Sequence, residues 1–153
     1  MTALPIEVSA ATPELAPLFA KHLTLMRATS PACSVHAMEP QQLVDAGVRF
    51  FVIRTDDQPV AMGALKPLAA QHGEIKSMHV VESARGRGLA GVVLESIMQS
   101  ARDAGMTRLS LETGSQAGFF AARAFYTRAG FELCPPFDAY TEDRHSIFMT
   151  RAL

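Results

Sequence analysis

An α+β fold, layered α/β/α, with a mixed and mostly antiparallel central sheet of about seven strands and four helices, follows from three features of the 153-residue sequence. Seven short segments have strand character, and four longer ones repeat apolar residues at helical spacing. Three of the strands follow one another across gaps too short for a crossover helix, so they are expected as antiparallel neighbours. Helices separate the later strands, which makes the sheet mixed.

The elements run as follows. PIEVSA (5–10) opens with a short alternating strand. TPELAPLFAKHLTLMRA (12–28) is a helix, with Thr12 as its cap, Pro13 at the first helical position and Leu15, Leu18, Phe19, Leu23 and Met26 on one stripe. MEPQQLVDAG (38–47) reads as a short second helix closed by Gly47, and the proline-containing SPACSVHA (30–37) connects the two. VRFFVIRT, PVAMGALKPLA and GEIKSMHVV are strands, separated by turns at Asp56-Asp57 and His72-Gly73. GLAGVVLESIMQSARDAG is an amphipathic helix presenting Ala90, Val93, Leu94, Ile97, Met98 and Ala101 on one face and stopping at Gly105. TRLSLETG is a strand and FFAARAFYTRAG a helix ended by Gly130. FELC and SIFMTRAL are two final strands around the loop PPFDAYTEDRH.

Composition narrows the function. Apolar residues make up 48% and charged residues 19%, the net charge is -1, and no block of like charge occurs. Neither a disordered tail nor a polyanion-binding surface fits these values, so nucleic acid is not an expected partner. MTALPIEVSA has no basic region followed by an apolar run, and no apolar window approaches the ~20 residues that cross a bilayer. The expected location is the cytoplasm, without a membrane partner. Cys33 and Cys134 lie far apart without metal-ligand spacing and are expected as reduced, packed thiols. His36 and His145 likewise have no carboxylate or cysteine at ligand spacing, so no metal site is expected. Without repeats or a Gly/Ser linker, residues 1–153 are expected to form one domain.

The run ESARGRGLAG (82–91) carries the chemistry. A glycine-rich turn ahead of a helix is an anion site, because the first helical turn leaves backbone N–H groups unpaired and the helix dipole adds partial positive charge. Residues Gly86 to Gly91 match the dinucleotide fingerprint G-x-G-x-x-G, and Glu112 lies 21 residues beyond Gly91, where a ribose-binding acid would be sought. Against that reading, Glu82, Ser83, Ala84 and Arg85 separate the strand from the first glycine, and the preceding strands form an antiparallel meander.

Read from Arg85, the run is Arg-x-x-Gly-x-Ala. It resembles the coenzyme A signature of the GNAT superfamily of N-acetyltransferases, Gln/Arg-x-x-Gly-x-Gly/Ala. FYTRAGFE resembles the later helix and strand of that family, in which a tyrosine stands four residues before a Gly-Phe pair, here Tyr126, Gly130 and Phe131. The element order agrees over nearly the whole chain. GALK, EIKSM, SLETGS, PPFDAY and SIFMT are further similar to one bacterial subgroup of such acetyltransferases.

This resemblance implies an acetyl-coenzyme A-dependent N-acetyltransferase that acetylates a primary amine of a small molecule or amino acid. The pyrophosphate would rest on the amides of Gly86, Arg87, Gly88, Leu89 and Ala90, with charge added by Arg85 and Arg87. Backbone groups at Met78 and Val80, around His79, would pair with the pantetheine arm. Strict alternation puts Met78 and Val80 on the face of Glu74 and Lys76, with Ile75, Ser77 and His79 opposite. Phe119 and Ala122 on the last helix would also touch the coenzyme. Phe119 stands where many family members carry an asparagine, so that contact is missing or supplied by Ser115, Gln116 or a backbone group. Arg123 and Arg128 are candidates for the 3′-phosphate, and the resemblance is compatible with a homodimer.

An alkyl ammonium has a pKa near ~10.4, so a base must remove a proton before the amine can attack. Glu74 matches the position of the family's basic glutamate, with an exposed strand-end carboxylate as the plainer reading, and Glu112 on the adjacent strand competes for the role. Tyr126 matches the family's proton donor to the departing thiolate. His79 either faces the substrate or is hydrogen-bonded packing. TSPACSVHA and PPFDAY are the segments expected to shape the acceptor pocket. A coenzyme-binding regulatory module without turnover and an NAD-dependent oxidoreductase are the alternative functions.

Overall fold

The computed structural model describes residues 4–31 and 36–153. The order is β1 (Ile6–Val8), α1 (Ala16–Thr29), α2 (Pro40–Asp45), β2 (Arg49–Thr55), β3 (Gln58–Ala69), β4 (His72–Val80), α3 (Leu89–Asp103), β5 (Arg108–Gly114), α4 (Phe120–Arg128), β6 (Glu132–Leu133) and β7 (Ser146–Ala152). The seven strands form one sheet in the order β1-β2-β3-β4-β5-β7-β6. β4 and β5 are parallel and every other neighbouring pair is antiparallel, so the mixed α+β architecture stands as expected. A dinucleotide-binding sheet is built of parallel strands; here β4 and β5, on either side of the glycine run, are parallel, but the antiparallel β2, β3 and β7 beside them rule that topology out.

Local details depart from the sequence reading. The β3–β4 turn lies at Ala70 and Gln71, and His72 already pairs with Ala69 within the ladder. Thr12 does not cap a helix with its side chain. Its hydroxyl donates to the Ser9 carbonyl at 2.8 Å, and a 3-10 turn over Pro13–Leu15 precedes α1. The expectation for Cys33 lies outside the described residues, while Cys134 is free and partly buried. Among the described residues, no helix is long and apolar enough to cross a membrane.

The sheet carries a core on each face. On one side α3 buries Val93, Leu94, Ile97, Met98 and Ala101, its apolar stripe, against Ile53, Ile75 and Leu111. Each such large side chain contributes about 1.5–3 kcal/mol when removed from water. Tyr126 of α4 joins the same cluster. On the opposite face, Leu15, Leu18, Phe19 and Leu43 pack against Phe50, Val52 and Met62. α3 packs tightly over Gly63 in β3. A Cβ there would lie 2.6 Å from Val93 and 2.5 Å from the Met78 sulfur, so any larger residue would push helix and sheet apart.

Candidate active site

The site begins where two strands part. β4 and β5 pair from His72 with Arg108 to Ile75 with Leu111 and no further, whereas β5 stays on β7 up to Gly114 with Ser146. A cavity of about 400 Å³ fills the resulting opening. At the same level β4 is bulged. Ser77 has φ +56, and the register with β3 shifts between Met62 with His79 and Ala64 with Lys76. An extra residue in a ladder reverses the alternation beyond it.

The expected facing of β4 is therefore corrected. Met78 and Val80 lie with Ile75 on the α3 side of the sheet. His79 lies on the α1 side, where its Nδ1 is 3.2 Å from Nδ1 of His22, one ring donating and the other accepting. His79 is thus hydrogen-bonded, and it also lines the cavity. Burial pushes both imidazoles down to about 4, with His22 lowered further by His79 and His79 by Arg85 and Lys21, so both are neutral near pH 7.

The glycine run closes one end of the opening. After a 3-10 turn over Glu82–Ala84, the Arg85 Nε donates to the Val80 carbonyl at 3.1 Å, tying the turn to the end of β4. Gly86 and Gly88 have φ of +79 and +75, and Gly88 is the residue from which α3 starts. L side chains seldom adopt this left-handed region, which explains glycine at both positions. No protein atom lies within 4 Å of the place a Cβ would take at either one, so an obstacle to a side chain there would come from a bound group. The first-turn amides of α3 begin at this point, beside Arg85 and Arg87. An anion the size of a diphosphate fits this donor set. Leu89 turns its side chain into the α3 core and Ala90 lines the cavity.

α4 and the 3-10 turn Ala117–Phe119 before it supply a wall. Phe119 of that turn and Ala122, Phe125 and Tyr126 of α4 all line the cavity. The Tyr126 ring is 93% buried, its centroid 5.2 Å from that of Phe125 and 5.8 Å from that of Phe131, and burial raises its phenol above the ordinary value. Phe119 covers Gly114 so closely that a Cβ there would fall 2.2 Å from the ring. Of the stand-ins expected for the missing asparagine, Ser115 is engaged, donating to the Arg144 carbonyl at 2.6 Å, whereas Gln116 pairs through Nε2 with His145 at 3.3 Å and keeps a buried Oε1 without a partner. Arg123 is partly engaged through its Nη1. Its guanidinium donates to the carbonyls of Gly114 and Gln116 at 2.7 and 2.9 Å and so braces the start of α4.

Both candidate acids reach the cavity. Glu74 is not an exposed strand-end carboxylate, being 1% exposed. Its Oε2 accepts from the Tyr140 hydroxyl at 2.6 Å and from the Lys76 ammonium at 3.3 Å, while its Oε1 is buried without a partner. Lys76 also donates to the Tyr140 oxygen at 3.0 Å and to the His36 carbonyl at 3.5 Å. Glu112 sits across the opening. Burial raises its carboxyl to about 7, with Ser146 and Lys76 pulling the other way.

Sequence reasoning missed His22, Lys76 and Tyr140. His22 belongs to α1, far along the chain, and its partner became accessible only through the bulge at Ser77. Tyr140 had a usable signal, since it lies in PPFDAY, already expected at the acceptor side; His36 of TSPACSVHA meets it there, ring centroids 5.1 Å apart.

Residues 15–131 match the Acetyltransferase (GNAT) family. The chain is 41% identical over 141 residues to the uncharacterized N-acetyltransferase YedL of Escherichia coli (strain K12), covering 92% of this chain and 89% of that one. It is 43% identical over 133 residues to the uncharacterized N-acetyltransferase YsnE of Bacillus subtilis (strain 168), covering 87% and 88%. Among solved structures, a Klebsiella pneumoniae protein whose acyl-CoA N-acyltransferase role is itself an assignment superimposes with a TM-score of 0.80 at 27% identity, over 99% of this chain and 98% of that one. A GNAT family acetyltransferase from Elizabethkingia anophelis with acetyl-CoA bound shares the fold, with a TM-score of 0.67 at 17% identity over 99% and 97%.

Proposed function

This chain belongs to the GNAT acetyltransferase family, and from that footing we propose that residues 1–153 act as one domain transferring an acetyl group from acetyl-coenzyme A directly to a primary amine of a small molecule or amino acid. The observation that carries the reading is the opening between β4 and β5, closed at one end by the left-handed Gly86 and Gly88 and walled by Glu112 and Tyr126.

Acetyl-coenzyme A supplies the acetyl group as a thioester. The amides of residues 86–90, with Arg85 and Arg87, hold its diphosphate, and the small Ala90 leaves room at that end of the cavity. Beyond Ile75 the edge of β4 facing β5 has no ladder partner, so the backbone of Met78 and the N–H of Val80, whose carbonyl accepts from Arg85, are available to the pantetheine arm. One such N–H polarises the thioester carbonyl as it gains charge. Phe119 and Ala122 exclude water from the α4 side. Tyr126, whose burial keeps its hydroxyl protonated, donates that proton to the departing sulfur.

Glu112 takes the proton from the attacking amine. A general base works best when its own value lies near the working pH, and burial has placed Glu112 at about 7. Glu74 holds an N–H of the same amine through Oε1, since Oε2 is already engaged by Tyr140 and Lys76.

The test is thiol release from acetyl-coenzyme A with a panel of primary amines. Tyr126→Phe is expected to lower turnover about 10²-fold with coenzyme affinity within about twofold; unchanged turnover at saturating substrate removes the tyrosine from the chemistry. Glu74→Gln is expected to raise KM more than it lowers kcat, and a lost pH dependence in that variant would return the base to Glu74. Coenzyme A binding without thiol release from any amine would favour the regulatory module.

A further inference from the structure

Tyr140 takes no part in the proposed transfer itself, yet it stands where two cavities meet. The first is the opening between β4 and β5, the second has a volume of about 320 Å³, and Glu74, His36 and Tyr140 line both. Local structure puts the ring there. The Tyr140 N–H donates to the Phe137 carbonyl at 3.1 Å across a turn in which Asp138 is left-handed, with φ +52. That turn brings the Tyr140 and Phe137 rings to 5.2 Å, and both pack on Phe148, at 5.4 and 5.9 Å. Phe148 is the cross-strand partner of Glu112, and Glu74 pairs with Ser110, two residues before Glu112. Alternation therefore sets Glu74, Glu112 and Phe148 on one face of the sheet, the face turned away from α3.

A glutamate side chain has several rotamers, and ordering it at the moment a ligand binds opposes binding. Here the ordering is done by the fold. The Tyr140 hydroxyl at 2.6 Å and the Lys76 ammonium at 3.3 Å converge on Oε2 of Glu74, and Lys76 also donates to the Tyr140 oxygen at 3.0 Å, which closes a triangle. Burial, and after it the charge of Glu74, pushes the Tyr140 phenol above its ordinary value, so it remains a donor. A buried carboxylate kept for structure alone is expected to have both oxygens paired, because a bare buried acceptor is destabilising. Glu74 instead has two donors on one oxygen and none on the other, although its side chain is 1% exposed. That asymmetry suits a group preset for a donor from outside the chain.

We propose that Tyr140 is a positioning residue of the acceptor site: its hydroxyl, with Lys76, clamps Oε2 of Glu74 and leaves Oε1 set to receive an N–H of the substrate amine. The inference rests on the acetyltransferase reading for the amine and adds the residue that presets its binding. Tyr140 acts through Glu74, so its loss weakens amine binding and spares the chemistry.

The probe is n-butylamine. Its affinity is measured by calorimetry on protein saturated with coenzyme A, and its KM and kcat by thiol release from acetyl-coenzyme A. Tyr140→Phe keeps the ring and removes the hydroxyl, so the variant is expected to fold, which its melting temperature checks. It should raise the amine Kd and KM about tenfold, as for one hydrogen bond to a charged group, with kcat and coenzyme affinity within about threefold. On a Glu74→Gln background the same substitution should add little, because its effect passes through that carboxylate. Lys76→Met removes the other donor to Oε2 and should raise the same two constants; it carries the test if Tyr140→Phe does not fold. Unchanged amine affinity in both single variants, full additivity with Glu74→Gln, or a parallel fall in coenzyme affinity would overturn the positioning role while leaving the acetyltransferase reading intact. Amine binding that Tyr140→Phe weakens, with no thiol release from any amine, would uphold the positioning role and sink the proposed reaction. Failure of the wild-type protein to bind n-butylamine would overturn the inference, since an unbranched primary amine is the simplest donor that Oε1 could receive.

Discussion

The two halves of β4 do different work. Residues 72–75 are hydrogen-bonded on both edges, antiparallel to β3 and parallel to β5, and Ile75 is buried in the α3 core. Residues 76–80 keep β3 alone, and Ser77 breaks the alternation. A strand paired on both sides has no backbone groups to offer a ligand, and one paired on neither side would not hold its shape. A strand that is paired low and open high supplies a rigid platform with a free edge, and the bulge lets one segment serve both faces. Met78 and Val80 close the α3 side while His79 reaches α1 and its partner His22.

Breaking the bulge should have the largest effect. Deleting Ser77 restores simple alternation and carries Met78, His79 and Val80 to the wrong faces, so coenzyme A affinity should fall by more than about 100-fold, read by calorimetry. Retained affinity would separate the bulge from coenzyme recognition.

Next, Glu112→Gln in the open half is expected to lower kcat/KM by about 10²–10³-fold and to remove the rise in rate expected of the wild-type enzyme as pH increases through about 7. The same substitution should stabilise the fold at high pH. Because burial raises this acid from 4.5 to about 7, its contribution to stability is complete below about 4.5 and is lost as pH rises through about 7. At pH 8 the glutamine variant should therefore be more stable than wild type by about 1–3 kcal/mol, seen as a higher melting temperature. At pH 4 the difference should vanish. Loss of both rate and stability would mark Glu112 as structural.

In the paired half, Ile75→Ala should cost about 2–4 kcal/mol of unfolding free energy in a urea titration, with coenzyme affinity little changed below the transition. A large loss of affinity without loss of stability would contradict the division of β4. The smallest effect belongs to Ser77→Gly, which keeps the bulge and relieves a left-handed φ carried by a non-glycine residue. Its stability should lie within about 1 kcal/mol of wild type, with coenzyme binding intact.

Periodicity, turn residues and short gaps were enough to read seven strands, four helices and the mixed sheet from the chain alone, because each is a local property of a few neighbouring residues. The left-handed turn at Gly86 and Gly88 ahead of α3 was legible for the same reason, since it lies in one short run whose backbone needs are written in residue type. The resemblance then supplied Tyr126 and the two candidate acids. The facing of 77–80, the burial of Glu74, the rise of Glu112 to about 7 and the engagement of Arg123 were beyond such a reading. Each depends on partners remote in sequence: on Gly63 and Met62 across the ladder, on Tyr140 from a late loop, on His22 from the first helix. Local sequence sets backbone preference and amphipathic face, but burial, hydrogen-bond pairing and proton affinity are properties of surroundings, and those exist once the distant segments have packed together.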